Sequence, residues 1–271
     1  MEMVRSIVFA CALLALARPA AAKGWPTPAA GDSASGDPEL VLTFDDGPNP
    51  KTTPAVLDIL AKHHLHVIFF EVGEMVGSEN KKVPALVQRI VREGHIIGNH
   101  SMTHKDLCKK KLDDDKAAHE IDDSKDAIER VGGVHPVWFR VPYGVRCARV
   151  EKMLADRGLV HFHWDLDPQE WKHNDAAKAV KYVTTELGRM SDRNVLLMHD
   201  IKTATVKALP EILDWIDAEN VRRVAAHKRP IRIIQGYELA AERLPPGLLA
   251  WLGDAAPDVK GYADAAASVL P

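Results

Sequence analysis

The sequence predicts an α/β fold: a parallel sheet of about seven strands joined by crossover helices, either closed into a barrel or left open. Two observations carry this. Short apolar runs rich in β-branched and aromatic residues alternate with longer amphipathic stretches from residue 40 to about 235, and no repeat or linker interrupts the series. Glycine follows several of the amphipathic stretches, at Gly94, Gly132-Gly133 and Gly158, as expected where helices end.

Taken in order, residues 40–44 read as the first strand. Residues 53–63 read as a helix with Val56, Ile59 and Leu60 on one face. Residues 67–72 form a strand, 83–92 a helix stopped by Gly94, and 95–98 the third strand. A polar helix at 116–130 ends at the double glycine, and 138–141 is the next strand. A helix at 149–157 stops at Gly158 and leads into strand 159–164. Helix 176–190, strand 195–198, helix 208–217 and strand 231–235 complete the alternation.

The 271 residues are 46% hydrophobic and 27% charged, amounts ordinary for a globular chain with a core. A formal net charge of −3 gives no pointer to nucleic acid or an anionic membrane surface. Residues 1–5 are a basic n-region, 6–17 an apolar stretch too short for a comfortable membrane span, and Ala20-Ala21-Ala22 supplies small residues for cleavage. The expected organisation is a signal peptide at 1–22, a Pro-, Gly-, Ala- and Ser-rich linker at 23–38, a folded domain at 39–243 and an extension at 244–271 carrying Trp251. Cleavage near Ala22 would leave the protein periplasmic or secreted, with no stable membrane insertion. It would also remove Cys11 and leave Cys108 and Cys147 in an oxidising compartment, as a disulfide or as two separate, partly buried thiols. Their spacing is not that of a metal pair.

Polar residues collect at the ends of the strands, where parallel α/β folds keep their chemistry. The first strand runs into Asp45-Asp46-Gly47-Pro48. Two adjacent carboxylates closing an apolar strand need a cation, a proton or a strong donor beside them. The third strand runs into Asn99-His100-Ser101-Met102-Thr103-His104, two imidazoles four apart that can converge on one cation or be two solvated loop histidines. With one aspartate they make a candidate His₂-Asp site with a position left for water. Strand 138–141 ends in Arg140-Val141-Pro142-Tyr143-Gly144, and an arginine there suits the carboxylate that binds no metal, although alone it would read as a surface residue beside a turn. Strand 159–164 ends in Trp164-Asp165-Leu166-Asp167-Pro168-Gln169-Glu170-Trp171, and strand 195–198 in Met198-His199-Asp200. A lone histidine at a strand mouth is more often structural, yet about five such strand ends argue for one shared site.

In this order, Thr43-Phe44-Asp45-Asp46-Gly47, His100-Ser101-Met102-Thr103-His104, Arg140-Val141-Pro142-Tyr143, Asp167-Pro168-Gln169-Glu170-Trp171 and Leu196-Leu197-Met198-His199 resemble the motifs of the NodB-homology polysaccharide deacetylases, carbohydrate esterase family 4. The resemblance runs from residue 40 to about 240, and 68–73 is similar to the family's second strand. It implies an irregular (β/α) barrel with parallel strands and a secreted hydrolase that removes N-acetyl groups from an N-acetylglucosamine-containing polysaccharide, peptidoglycan or a chitin-like chain. It further implies that Asp46, His100 and His104 hold a divalent metal, usually zinc, and that Asp45, paired with Arg140, is the general base. His199 would be the general acid. The Tyr143 N–H, beside Pro142, would help hold the oxyanion, and Leu197 and Trp171 would enclose the acetyl group. One position departs from the pattern. The family usually has Asp immediately before the fourth motif's Trp, where it pairs with the catalytic histidine. Here Glu170 stands there, and its extra methylene alters the reach toward His199.

The chemistry is coherent without the resemblance. Amide hydrolysis needs an activated water, a charge sink for the tetrahedral oxygen and an acid for the leaving nitrogen. Adjacent Asp45 and Asp46 make a poor glycosidase pair, and the sequence has neither a G-x-S-x-G elbow nor a P-loop. Two other functions fit the same residues: a non-catalytic glycan binder using Trp164, Trp171 and Trp251, or a metal-dependent hydrolase of another amide or an O-acetyl ester. Loops 74–82 and 105–111 would set the substrate. The second carries Lys105, Lys109, Lys110 and Lys111, either a solvated face or a contact for an anionic polymer. Oligomeric state is not legible.

Overall fold

The computed structural model describes residues 36–244, so the expected signal peptide, most of the linker and the extension with Trp251 lie outside the described residues. The elements run β1 (Glu39–Asp45), α1 (Thr53–Lys62), β2 (Ile68–Glu71), α2 (Gly73–Val76), α3 (Val83–Arg92), β3 (Ile96–Asn99), α4 (Asp114–Gly132) and β4 (Trp138–Phe139). A 3₁₀ turn (Pro142–Gly144) follows, then α5 (Ala148–Asp156), β5 (Val160–His161), α6 (Glu170–His173), α7 (Ala176–Arg189), β6 (Arg193–His199), α8 (Thr203–Ala225), β7 (Arg232–Ile234) and α9 (Gly236–Arg243).

The sheet is parallel throughout, in the order β5-β4-β3-β2-β1-β6, with β7 paired to β1. β6 runs along the whole of β1, from Glu39↔Arg193 to Asp45↔His199. The other edge of β1 is shared by two strands in tandem: β7 pairs Glu39–Val41 and β2 pairs Thr43–Asp45. The gap between β5 and β6 is sealed by the segment that follows β5. Leu166 bridges Leu196, the Asp165 and Leu166 amides donate to Val195 O, and the Leu197 amide donates to Leu166 O. A barrel closed on one side by a single bridge is the irregular (β/α) barrel that the resemblance implies.

Strand alternation divides the apolar side chains into two sets. Leu40, Leu42, Phe44 and Phe69 pack outward in the cluster that holds Val56, Leu60, Val87, Ile90, Val183 and Leu209 from the surrounding helices. Val41, Ile68, Phe70, Ile96, Trp138, Phe162 and Val195 form the second set, inside the barrel, with Leu239 and Ala240 of α9 against them. At the N-terminal end of β1, buried Glu39 pairs with Arg193 and Arg232, and Arg193 also reaches Glu242 of α9. Among the described residues no helix is long and apolar enough to cross a membrane.

Several boundaries differ from the sequence expectation. β4 is shorter than 138–141: the Arg140 amide still donates to Asn99 O, but Pro142 has no N–H and turns the chain into the 3₁₀ segment. β5 ends at His161 because the chain then crosses to β6. α8 begins at Thr203, before the expected residue 208, and carries Pro210 within it. The one-turn helices α2 and α6 show no period that a sequence reading could detect. α9 did carry a readable sign, the capping box between Gln235 and Glu238.

Candidate active site

Alternation along β1 places Asp45 on the interior face shared with Val41 and Thr43. Asp46 lies just beyond, in left-handed backbone at φ 75, with its amide donating to Phe70 O at 3.2 Å. The following turn is packed tightly: a Cβ on Gly47 would lie 2.5 Å from a carboxylate oxygen of Asp200. Asp200 is fully buried, accepts the Thr53 hydroxyl, and is pushed by burial to a pKa of about 7.

Arg140 occupies the barrel interior without solvent exposure, its guanidinium 4.1 Å from the centre of the Phe70 ring. Nη1 donates to Asp45 Oδ1 at 2.6 Å and to Thr43 Oγ1 at 2.9 Å. Nε and Nη2 donate to the carbonyls of Phe162 and His163. Burial raises the Asp45 pKa, and the charge of Arg140 opposes that rise. This is the partner an apolar strand end needs, because an isolated buried carboxylate would be neutralised. Gly98 keeps the stack in place, since a Cβ there would meet the Phe70 ring at 2.5 Å.

His100 and His104 approach Asp46 from the loop after β3. His100 Nδ1 lies 2.7 Å from Arg140 O, a hydrogen bond that fixes the tautomer and leaves Nε2 as a lone-pair donor. That Nε2 is 3.6 Å from Asp46 Oδ1, and His104 Nε2 is 3.3 Å from the same oxygen. The ligand atoms of all three residues lie within 4.8 Å of one another. Asp46 Oδ1 is buried and takes no hydrogen bond, an orphan acceptor facing two imidazole nitrogens. Burial lowers the His100 pKa to about 3, so the ring is neutral as a ligand must be. One carboxylate oxygen and two imidazoles are a donor set that fits a borderline divalent ion such as zinc. Non-glycine residues with positive φ gather here, at Asp46, Ser101, His104, Tyr143 and Gln169, and such strain collects at functional sites.

His199 ends β6 directly opposite Asp45 in the ladder. Its Nδ1 is 3.0 Å from Glu170 Oε1, and that oxygen also accepts the His199 amide at 2.8 Å and the Thr205 hydroxyl at 3.2 Å. The longer side chain at position 170 therefore does reach His199. Burial works against the imidazolium, but the hydrogen bond and charge of Glu170 outweigh it and hold the His199 pKa above its ordinary value.

These residues border one cleft of about 280 Å³, lined by Asp45, Asp46, His100, His104, His199 and Leu197 at its base and by Tyr143, Trp164, Asp167, Trp171 and Lys202 around them. Arg140, Glu170 and Pro142 are buried behind this lining and reach the cleft only through neighbours. Tyr143 and Trp171 are 64% and 43% exposed, large rings held out where a ligand would meet them. Three residues near the site had no role in the sequence expectation. Asp200 directly follows His199, which was its only sequence sign. Glu71, fully buried with neither oxygen hydrogen-bonded, has its pKa raised well above the ordinary value by burial. Lys202 looks like any loop lysine. Beside the cleft, Cys108 and Cys147 are joined as a disulfide with Cα atoms 5.9 Å apart.

Comparison with known proteins agrees with this geometry. A family model described as Polysaccharide deacetylase matches residues 32–161. A chitooligosaccharide deacetylase of Rhizobium leguminosarum bv. phaseoli is 36% identical over 176 residues, 62% of this chain and 71% of the relative. The peptidoglycan-N-acetylmuramic acid deacetylase PdaC of Bacillus subtilis (strain 168) is 36% identical over 175 residues, 64% of this chain but only 35% of the relative's length. A solved structure described as T48 deacetylase with substrate superposes at a TM-score of 0.65 with 31% identity, covering 78% of this chain and 95% of that one. With the barrel, the ordered motifs and these relatives in agreement, the chain belongs to the polysaccharide deacetylases of the NodB-homology type, carbohydrate esterase family 4.

Proposed function

We propose that the protein is an exported, metal-dependent hydrolase that removes N-acetyl groups from an N-acetylglucosamine-containing polysaccharide. The observation that carries this is the convergence on one cleft of a His₂-Asp cluster, an arginine-held aspartate and a glutamate-held histidine. Asp46, His100 and His104 are the residues to hold the ion, most simply zinc. When bound, it supplies Lewis acidity toward the acetyl carbonyl and lowers the pKa of water. Asp45, kept aimed by Arg140, takes the proton of the attacking water. The Tyr143 N–H donates to the developing oxyanion. His199, with Glu170 favouring its protonated form, delivers a proton to the departing amine. Leu197 and Trp171 enclose the acetyl methyl. Export is supported by the Cys108–Cys147 disulfide, which persists in oxidising compartments, and by the leader-like composition of residues 1–22.

The test is acetate release from N-acetylated oligosaccharides by the wild type, Asp45→Asn and His199→Ala. Both variants are expected to lose at least about a hundredfold in kcat while keeping a wild-type unfolding transition, since each removes one proton-transfer group. Undiminished release by either variant would sink the assignment of that residue.

A further inference from the structure

The cleft does not stop at the reacting centre. His104 and Tyr143, whose rings lie 4.6 Å apart, also line a second cavity of about 440 Å³. Thr103, Asp106, Leu112 and three lysines, Lys105, Lys109 and Lys111, complete it. The carboxylates in this neighbourhood are already engaged. Glu120 pairs with Lys105 at 2.9 Å, Asp106 accepts the Cys108 amide at 3.0 Å, Asp113 pairs with Lys116 at 2.6 Å and Asp114 with Arg149 at 3.0 Å. Lys109 and Lys111 pair with no carboxylate among the described residues. Two ammonium groups with no ion-pair partner among the described residues thus share a pocket whose one lining carboxylate, Asp106, is held by a backbone amide, so three lysines face a single aspartate there.

The loop that carries them is fixed. Leu107, 2% exposed, is anchored in a core cluster with Phe139 and Val141. Cys108 is bridged to Cys147, shortly after Tyr143, which ties the lysine loop to the opposite lip of the pocket. The Arg149 guanidinium donates to the carbonyls of both Leu107 and Leu112, closing the loop from below. Cations on a pre-ordered loop cost less to immobilise around a ligand than cations on a free one.

Resting on the deacetylase reading of the adjoining cleft, we propose that this pocket is an anion subsite. It takes a carboxylate carried on a sugar next to the one being deacetylated. The substrate class is then an acidic N-acetylated glycan, such as peptidoglycan strands whose lactyl carboxylates are free of stem peptide, in preference to a neutral chitin-like chain. A polymer lying in the cleft meets the pocket at the His104–Tyr143 ridge, so both sites act on one chain. Exposed lysines contribute modest affinity and mainly orientation, a few-fold each.

The test compares kcat/KM for acetate release from a peptidoglycan-derived oligosaccharide, from the same oligosaccharide with its carboxylates methyl-esterified, and from a chitooligosaccharide of equal length. Wild type, Lys109→Gln/Lys111→Gln and Lys109→Glu/Lys111→Glu are run side by side. Wild type is expected to prefer the acid over its ester by about five- to tenfold at low salt, carried in KM, with the preference fading at about 0.5 M salt. The preference should shrink toward one in the glutamine variant and invert in the glutamate variant. Equal kcat/KM for acid and ester in wild type, or a preference that survives the glutamate variant, overturns the subsite. No acetate from any of the three substrates would instead refute the deacetylase reading. Calorimetric titration of acid and ester oligosaccharides against wild type and the glutamate variant then decides the subsite by the same ratio.

Discussion

Replacing Glu170 with glutamine removes one charge from a buried contact and little volume. Glu170 is 1% exposed, and its Oε1 accepts from the His199 ring, the His199 amide and the Thr205 hydroxyl. Hydrogen bonds to charged groups in such places are worth about 1.5–3 kcal/mol. If His199 is the acid, that energy is spent on its protonated form alone, so its loss costs roughly tenfold to a hundredfold in kcat. The direction with pH follows. Burial opposes the imidazolium and Glu170 overcomes it; without the charge burial prevails and the ring titrates lower. The alkaline limb of the kcat profile, which reports loss of the acid's proton, therefore moves to lower pH in Glu170→Gln. Glu170→Asp keeps the charge but shortens the reach, and its limb should fall between the two. Stability carries the same sign: a raised histidine pKa stabilises the fold below the ordinary value of about 6.5, and the gain is lost as pH rises through the folded value. The Tm gap between wild type and Glu170→Gln should accordingly be wider near pH 6 than near pH 9. An alkaline limb that superimposes on wild type, with kcat within about twofold, would refute the acid role and the pairing argument together.

Arg140→Met should destabilise the fold by about 3–5 kcal/mol in denaturant titrations, because it strands the buried Asp45 carboxylate. The purified protein should hold about one equivalent of divalent metal by elemental analysis, and chelation should abolish acetate release until zinc is restored. In His104→Ala the metal content should fall along with the activity. Cys108→Ser/Cys147→Ser should lower the unfolding free energy by about 4 kcal/mol, the chain-entropy value for a loop closed between cysteines 39 apart.

The seven strands were readable because their apolar cores stand between amphipathic stretches, and the candidate site was readable because about five of the strand ends broke the apolar pattern with a side chain able to carry charge. Asp45 announced a buried carboxylate, and Arg140 was the residue able to answer it inside the barrel. What escaped was set by tertiary distance. Closure of the barrel through Leu166 involves one bridge and leaves no periodic trace. Pairing of Cys108 with Cys147 needs two Cα atoms at 5.9 Å, which spacing along the chain does not report. The reach of Glu170 depended on where α6 sits, and a helix of four residues has no period to place it. Lys202 enters the cleft because α8 starts just after it, earlier than the expected residue 208.

The ladder of β1 also sets an order of events. Among the described residues β1 is the first strand to be synthesised, yet β6 and β7 come roughly 150 and 190 residues later, the long-separation pairing that slows folding. Until they arrive, β1 has one bare edge along its full length and half of the other. Its aspartates are then on a strand that has not met the histidine facing them. A nascent or truncated chain ending before residue 193 would present an open parallel edge rather than a weakened catalyst, and open edges recruit other strands. Hydrolytic competence and resistance to aggregation are therefore acquired together, at the moment the C-terminal third docks.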